Sequence, residues 1–161
     1  MTNKIIGIQG DNLDKINISS DTSIFLAHEA QKLGYKIFYY TPSNLSIIKN
    51  ITYASGVFVK FNYEGKKFYK IYKKQKIDVE NLKFILIRQD PPFNSEYLIT
   101  TLILDSLKKV KVINNPTAIR NVSEKLYSKH FIKYMPNTLF SNNIEEIKKF
   151  YEQNKNMIMK P

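Results

Sequence analysis

Arginine is rare in this chain, and one arginine lies in a stretch whose composition could bind an anion. Only Arg88 and Arg120 are arginines among the 25 basic residues; the other 23 are lysines. A guanidinium offers a planar fork of N–H donors for a carboxylate or a phosphate, which lysine cannot copy. Asp90 and the pair Pro91-Pro92 follow Arg88, and proline restricts its own backbone and that of the preceding residue. The sequence therefore predicts a guanidinium held in a stiff loop.

A second polar loop precedes the first predicted helix. It carries Asp11, Asn17, Ser20, Asp21 and Thr22. Free backbone N–H groups at a helix N-terminus attract anions, and ligands of open α/β sheets lie beyond the carboxyl ends of the strands. The two loops together predict an anion clamp. The residues alone leave equal room for a structural alternative, in which Arg88 pairs with Asp90 or Glu96 and Asp21 only caps its helix.

The segments that must position these loops alternate between strand and helix. Strands are predicted at 4–9, 36–41, 84–89 and 110–116, and helices at 20–34, with Ser20 or Asp21 as the cap, and at 94–109. This alternation predicts a parallel sheet with helices on its faces. The alternating residues 51–75, around "NYEG", predict a β-hairpin that could stand out as an arm. No G-x-G-x-x-G follows the first strand, so the dinucleotide fingerprint is absent.

The organisation of the chain changes after residue 121. A helix is predicted for "SEKLYSKHF" (123–131), a short strand for 137–142, a helix for 143–154 with Asn142 and Glu145 at capping-box spacing, and a strand for "MIMKP" (157–161). An apolar strand at an open end, with nothing after it to pair with, is a liability. We therefore expect a second domain at 122–161 that has barely begun, in a truncated chain.

Composition narrows the class of protein. The formal charge is +11, but the lysines are scattered or concentrated in "EGKKFYKIYKKQK", which favours a solvated surface or an anionic small molecule over nucleic acid. There is no cysteine, which fits a reducing cytosol. No apolar run approaches the roughly 20 residues of a membrane span, and the start predicts no signal peptide. His28 and His130 show no metal-ligand spacing and are interpreted as structural.

Two lysines stand in contexts unlike those of the others. Lys125 opens a helix after a turn, and Lys160 ends a short apolar strand before proline, where an inward lysine suits a phosphate. With them, four segments occur in a characteristic order: "GDNLDKINISSDTSIFLAHEAQKLGYKIFYYTP", "LIRQDPPFNSEYLITTLILD", "VINNPTAIRNVSEKLYSKHF" and "MIMKP". Together these segments closely resemble the N-terminal half of the bacterial glutathione synthetase family, over essentially the whole chain.

The resemblance implies a fold and an activity. The fold would be an α/β, Rossmann-like pre-ATP-grasp substrate domain at 1–121, followed by the start of an ATP-grasp domain at 122–161. The family is an ATP-grasp ligase that uses magnesium and joins γ-glutamylcysteine to glycine through an acyl phosphate. Magnesium ligands and the glycine-rich loop would lie beyond Pro161, so no catalytic or metal-binding residue is expected in this chain, and the chain alone is expected to be inactive.

The resemblance also implies roles for individual residues. Lys125 and Lys160 would contact ATP, and Arg88 would face the dipeptide. The residues Asn17, Asp21 and Thr22 are candidate neighbours of that substrate. The family further implies a cytoplasmic homo-oligomer, typically a tetramer, with neither nucleic acid nor membrane as a partner.

The chain departs from the family pattern at three places. Gly10-Asp11-Asn12 stands where the family usually has Met-Asp-Pro, Gln89 where a lysine is usual, and Asn94 where an aspartate is usual. The last two remove a charge, so substrate affinity is expected to change while the fold is not. The alternatives are another ATP-grasp ligase, such as a D-alanine–D-alanine ligase or a ribosomal-protein glutamylating enzyme, and, from a different class, a basic nucleic-acid-binding α/β module.

Overall fold

The described residues contain seven strands that form one sheet. In the computed structural model the described residues are 4–63, 67–123 and 125–160. The strands are β1 (Ile5–Gln9), β2 (Lys36–Tyr40), β3 (Leu45–Ile48), β4 (Ile51–Phe61), β5 (Tyr69–Asp78), β6 (Phe84–Ile87) and β7 (Lys111–Ile113). Their order is β3-β4-β2-β1-β6-β7, with β5 paired to β4. The sheet belongs to the α/β class, as predicted.

The centre and one side of the sheet are parallel, as the strand–helix alternation predicts. β1 pairs in parallel with β2 on one edge and with β6 on the other, and β6 pairs in parallel with β7. Helix α1 (Thr22–Lys32) connects β1 to β2, and helix α2 (Ser95–Asp105) connects β6 to β7. Helix α1 ends at Lys32, and Gly34 follows its C-cap Leu33 with a φ of 81°, which a residue with a side chain rarely adopts.

The other side of the sheet is antiparallel and contains the predicted hairpin. The predicted hairpin is present as β4 and β5, although residues 64–66 at its tip lie outside the described residues. It is not a free arm, because β4 also pairs with β2 and β3. The sequence missed β3, which joins β4 through Lys49 and Asn50 at φ 48° and 63°, the left-handed geometry of a tight hairpin turn.

Two apolar clusters sandwich the sheet, because successive side chains of a strand point to opposite faces. Ile6, Ile8 and Ile37 belong to one cluster, together with Ile24 and Ala27 of α1. The other cluster contains Phe38, Tyr40, Ile85 and Ile87 of the sheet, Leu104 of α2 and, packed against it, Ile119 of helix α3 (Pro116–Asn121). Helices α1 and α2 therefore cover opposite faces of one sheet.

The chain divides into two compact units, with the boundary in the sequence between Asn121 and Val122. In the second unit, a kinked 3₁₀ helix spans Leu126–Tyr134 and helix α4 spans Ile144–Asn154. Neither element contains a buried residue. Across the described residues, no helix is long and apolar enough to cross a membrane.

Several local expectations were wrong. The strand expected at 137–142 does not form, and neither does the described part, 157–160, of the strand expected at 157–161, since a strand needs a pairing partner and none of the described residues pairs there. Pro161 lies outside the described residues. Helix α2 ends at Asp105 rather than 109. Helix α4 is capped by Asn143, not Asn142, because the Asn143 side chain accepts from the backbone N–H groups of Glu145 and Glu146.

Candidate functional site

The two polar loops predicted to form a clamp meet where the chain leaves β1 and β6. The Arg88 backbone N–H donates to the Gln9 carbonyl over 2.7 Å, which continues the ladder between the two strands beyond Ile87. From this point the chain runs to α1 on one face and to α2 on the other. Such a divergence of neighbouring parallel strands opens the crevice in which α/β proteins bind ligands.

Arg88 is held at this crevice by hydroxyl groups. Its Nε donates to Ser23 Oγ over 3.0 Å, and its Nη2 donates to Thr22 Oγ1 over 2.6 Å. Among the described residues no carboxylate forms an ion pair with it, so the structural pairing with Asp90 or Glu96 is not present. The half-buried guanidinium is therefore oriented while its charge remains available to an anion.

The other arginine serves as a contrast. Arg120 Nη2 donates to Asp105 Oδ2 over 2.5 Å and to Thr117 Oγ1 over 3.0 Å. Its guanidinium holds the pKa of the Asp105 carboxyl below its ordinary value, and the hydrogen bond from Thr117 acts in the same direction. Arg120 thus links α3 to the end of α2, whereas Arg88 has no ion pair among the described residues.

The loop before α1 is ordered by its own polar side chains. Asp21 is the helix cap: its Oδ1 accepts from the backbone N–H groups of Ser23 over 2.6 Å and Ile24 over 3.0 Å. The Asn17 side chain accepts from the Ser19 backbone and hydroxyl, and its carbonyl accepts from the Asp21 backbone N–H. Of the three candidate neighbours of Arg88, only Thr22 contacts the guanidinium directly.

Asp11 ties the two loops together. Its Oδ2 accepts from the Asp90 backbone N–H over 3.0 Å, and its carbonyl accepts from the Tyr39 hydroxyl over 2.7 Å. The Tyr39 ring crosses Gly10 so closely that a Cβ there would lie 2.9 Å from the ring carbon bearing the hydroxyl. The departure from the family's first loop at Gly10 is therefore matched to a buried tyrosine on β2.

The crevice combines one cation with several carboxylates. Burial raises the pKa of the Tyr39 phenol, and the charges of Asp11, Asp21 and Asp90 raise it further. Burial also raises the pKa of Tyr97 on α2, with Asp11 and Asp90 adding to the effect and Arg88 opposing it. Arg88, Asp11 and Asp90 thus act on the same tyrosine. This mixture of charges suits a ligand that carries both a carboxylate and an ammonium group.

A pair of glutamines at the same strand ends was not predicted from the sequence. Gln9 is completely buried, and its Nε2 donates to Gln89 Oε1. Its own Oε1 is buried without a partner among the described residues. The two glutamines are 80 positions apart, so only the pairing of β1 with β6 brings them together. The family departure at Gln89 could have drawn attention to this position.

Two cavities lie against strand β5, and the second is also lined by Asn12 and Tyr39 beside the crevice. Their volumes are about 510 and 750 Å³, and neither is lined by Arg88 or Gln89. Exposed lysines, including Lys73 and Lys76, border them. The crevice is defined by oriented polar groups rather than by depth.

Lys125 and Lys160 lie in the second unit, and both are exposed. The Lys125 carbonyl accepts from the Ser128 backbone and hydroxyl, which orders the start of the 3₁₀ helix. The described residues contain no cluster of three or more histidine or acidic side chains that could hold a metal ion.

Comparison with known sequences gives a consistent result over both units. A family model described as prokaryotic glutathione synthetase, N-terminal domain, matches residues 5–120. A second, described as prokaryotic glutathione synthetase, ATP-grasp domain, matches residues 124–161.

Curated relatives named glutathione synthetase cover almost all of this chain. Those from Buchnera aphidicola subsp. Acyrthosiphon pisum and from Mesorhizobium japonicum are 35% and 34% identical over 158 and 157 residues. The relative from Salmonella typhimurium is 35% identical over 160 residues. Each alignment covers 97% of this chain and 49–50% of the relative. The chain thus spans about half the length of the curated relatives it matches.

Proposed function

Because this chain belongs to the prokaryotic glutathione synthetase family, we propose that its first unit binds γ-glutamylcysteine for an ATP-dependent ligase that joins this dipeptide to glycine. The observation that carries the proposal is Arg88, which hydroxyl groups orient at the crevice and no described carboxylate neutralises. The guanidinium would bind a carboxylate of the dipeptide. Asn17, Asp21 and Thr22 would support this subsite, with Asp21 and Asn17 ordering the loop and Thr22 holding the guanidinium.

The reaction class assigns the other substrates. ATP transfers its terminal phosphoryl group to the cysteinyl carboxylate, and the glycine amine then attacks the acyl phosphate, so that an amide bond forms and phosphate leaves. The part of this chain is to fix the dipeptide so that its reacting carboxylate meets the phosphate, since orientation contributes much of the rate of such reactions.

The second unit would contribute to ATP binding. Lys125 and Lys160 are free to neutralise phosphate charge, since neither side chain is buried. The described residues do not fit a magnesium site, because they lack a suitable acidic cluster. The family implies that magnesium, bound by residues outside this chain, neutralises the phosphates of ATP.

A binding measurement tests the dipeptide proposal on this chain. Titration calorimetry of the 161-residue chain with γ-glutamylcysteine should detect binding that Arg88→Lys weakens. D-alanine is the control ligand, because it is the substrate of the alternative D-alanine–D-alanine ligase. Absence of γ-glutamylcysteine binding, or equal binding of D-alanine, would overturn the proposal.

The family also leads us to propose a homo-oligomer that acts in the cytoplasm. Light scattering of the purified protein would give its mass in solution, and a monomeric mass at micromolar concentration would contradict the assembly. Fractionation of cells expressing the protein would test its location.

A further inference from the structure

At the end of the sheet opposite the crevice, three lysines lie side by side on one face. Lys60 of β4 is directly opposite Lys70 of β5, and Lys36, the first residue of β2, is opposite Lys60 one step beyond the pair Ile37–Val59. All three lysines are exposed, and none forms an ion pair with a described carboxylate. Like charges directly opposite each other destabilise a sheet, so an anion bound here would relieve the repulsion.

The first of the two cavities against β5, with a volume of about 510 Å³, lies beside this row of lysines. Lys36 of the row lines the cavity, and Lys73 of β5 adds a second ammonium group from the position opposite Phe58. Phe58 packs in the cluster on the α2 side of the sheet, and side chains directly opposite each other on paired strands share a face. The cavity therefore has positive charge at its rim on the same face as the row.

The cavity also has an aromatic wall. The rings of Phe58 and Tyr72 both line it, with their centroids 6.0 Å apart and their planes at 39°. The Tyr72 side chain is 54% exposed, so a flat ligand can reach its ring from the cavity. Aromatic rings prefer tilted or offset contacts with other rings, and small-molecule sites combine such apolar walls with a few polar groups.

One carboxylate lines the same cavity, but it already has a structural role. Asp78 caps the 3₁₀ turn Val79–Asn81, because its Oδ1 accepts from the Glu80 backbone N–H over 2.9 Å. Neither Lys36 nor Lys73 pairs with it. The ammonium groups therefore remain available to a ligand.

We propose that this cavity binds a small anion in which a phosphate group is joined to an aromatic ring, with the ring against Phe58 and Tyr72 and the phosphate toward Lys36 and Lys73. Lysine ammonium groups bind phosphate as point charges, and the volume of the cavity is that of a small-molecule site. The site lies at the amino end of β2, whereas Arg88 lies beyond the carboxyl end of β6. It is therefore separate from the dipeptide crevice and goes beyond the proposed function.

An NMR titration of the isotope-labelled 161-residue chain with 1-naphthyl phosphate tests the site. Amide signals of β5 and of the turn 79–83 should shift and give the affinity, and neutral 1-naphthalenemethanol should bind more weakly. Lys36→Gln and Lys73→Gln should each weaken binding about threefold, the value of one partly screened charge contact. Tyr72→Leu should weaken it about threefold, because the aromatic contact is lost, whereas Tyr72→Phe should keep the wild-type affinity.

Lys111→Gln is the matched control, an exposed strand lysine on the other face of the sheet. Lys111 lies opposite Phe84, which packs against the cluster on the α1 side, so its substitution should leave the affinity unchanged, as should Arg88→Lys. Absence of shifts around the cavity at millimolar ligand would overturn the site. Equal losses in Lys36→Gln, Lys73→Gln and Lys111→Gln would also overturn it and leave only unspecific anion binding. A single-stranded oligonucleotide that binds more tightly than the aryl phosphate would overturn the small-molecule assignment in favour of nucleic acid.

Discussion

At the scale of single residues, the two arginines differ in their partners, which makes their substitutions directly comparable. Arg88 is held by hydroxyl groups and its charge is not paired with a described carboxylate, whereas the charge of Arg120 is paired with that of Asp105. Arg88→Lys should weaken γ-glutamylcysteine binding about tenfold, because an ammonium cannot reproduce the planar fork. Arg120→Lys should lower the melting temperature without changing affinity. Calorimetric titrations of both variants give the comparison, and equal affinities of Arg88→Lys and the wild type would make Arg88 a structural residue.

Gly10 and Tyr39 should be energetically coupled. A methyl group at Gly10 would collide with the Tyr39 ring end, so Gly10→Ala should destabilise the protein by about 1–3 kcal/mol. Tyr39→Phe alone loses the hydrogen bond to the Asp11 carbonyl, about 1 kcal/mol. Together they should cost less than the sum, because removing the hydroxyl makes room for the methyl. Urea denaturation of the four proteins measures the coupling, and strict additivity would contradict it.

The sequence predicted the site only as far as local signals reach. Arg88, the proline pair and the cap Asp21 stand out from composition and neighbours alone. Which partner holds Arg88 depends on how α1 packs beside β6, and the hydroxyls of Thr22 and Ser23 are 66 and 65 positions away. The Gln9–Gln89 pair likewise exists only because β1 and β6 are neighbours. Contacts of this kind follow from tertiary packing, which one sequence does not display.

At the scale of elements, the buried central strands were easier to predict than the exposed ones or the partners of the hairpin. The apolar runs of β1, β2 and β6 are recognisable because both faces of these strands are buried. The direction of β4 against β2 is not encoded in any local pattern. The face that helix α2 buries is also not predictable from hydrophobicity alone, because Thr100 and Thr101 are buried while Leu102 is half exposed. The two threonines can be buried because their hydroxyl groups donate to carbonyls within the helix.

Glu80 joins the turn before β6 to the segment before β7 and should make the stability of the fold depend on pH. Its carboxylate accepts the backbone N–H groups of Lys108, Lys109 and Val110 at 2.8–2.9 Å. Burial acts to raise its pKa, but these hydrogen bonds outweigh it and the pKa is lowered from 4.5. The stabilisation is therefore complete above about pH 4.5 and is lost as the pH falls through the lowered value.

The variant that tests this is Glu80→Gln, which keeps the shape and loses the charge. It should be less stable than wild type by about 1 kcal/mol at neutral pH, and the difference should shrink as the pH falls below the ordinary glutamate value. Melting curves between neutral and acidic pH measure the difference. A difference that is constant across this range would show that charge is not what Glu80 contributes.

A substitution in the turn between β3 and β4 should raise the stability of the protein. Lys49 adopts φ 48°, a left-handed conformation that costs an ordinary residue about 1–2 kcal/mol. Lys49→Gly should therefore stabilise the protein by about 1 kcal/mol. Lys60→Gly in β4 is the matched control and should destabilise it, because there glycine only weakens a regular strand. Denaturant titration measures the free energy of unfolding of both variants. A loss of stability in Lys49→Gly would mean that the lysine side chain stabilises the protein by more than its left-handed backbone conformation destabilises it.

At the scale of the whole molecule, the two units differ in what they bury. Both apolar clusters are built from residues up to Ile119, whereas no hydrophobic side chain among the described residues after Asn121 is buried. Local stability follows buried apolar contact. In a hydrogen-exchange experiment, the amides of β1, β2 and β6 should therefore exchange only through global unfolding, while those of α4 exchange through local opening.

A shortened chain of residues 1–121 should keep the melting temperature of the first unit and its affinity for γ-glutamylcysteine. Global protection in α4 would show that the second unit unfolds only together with the first, and loss of folding in the shortened chain would show that the first unit depends on the second.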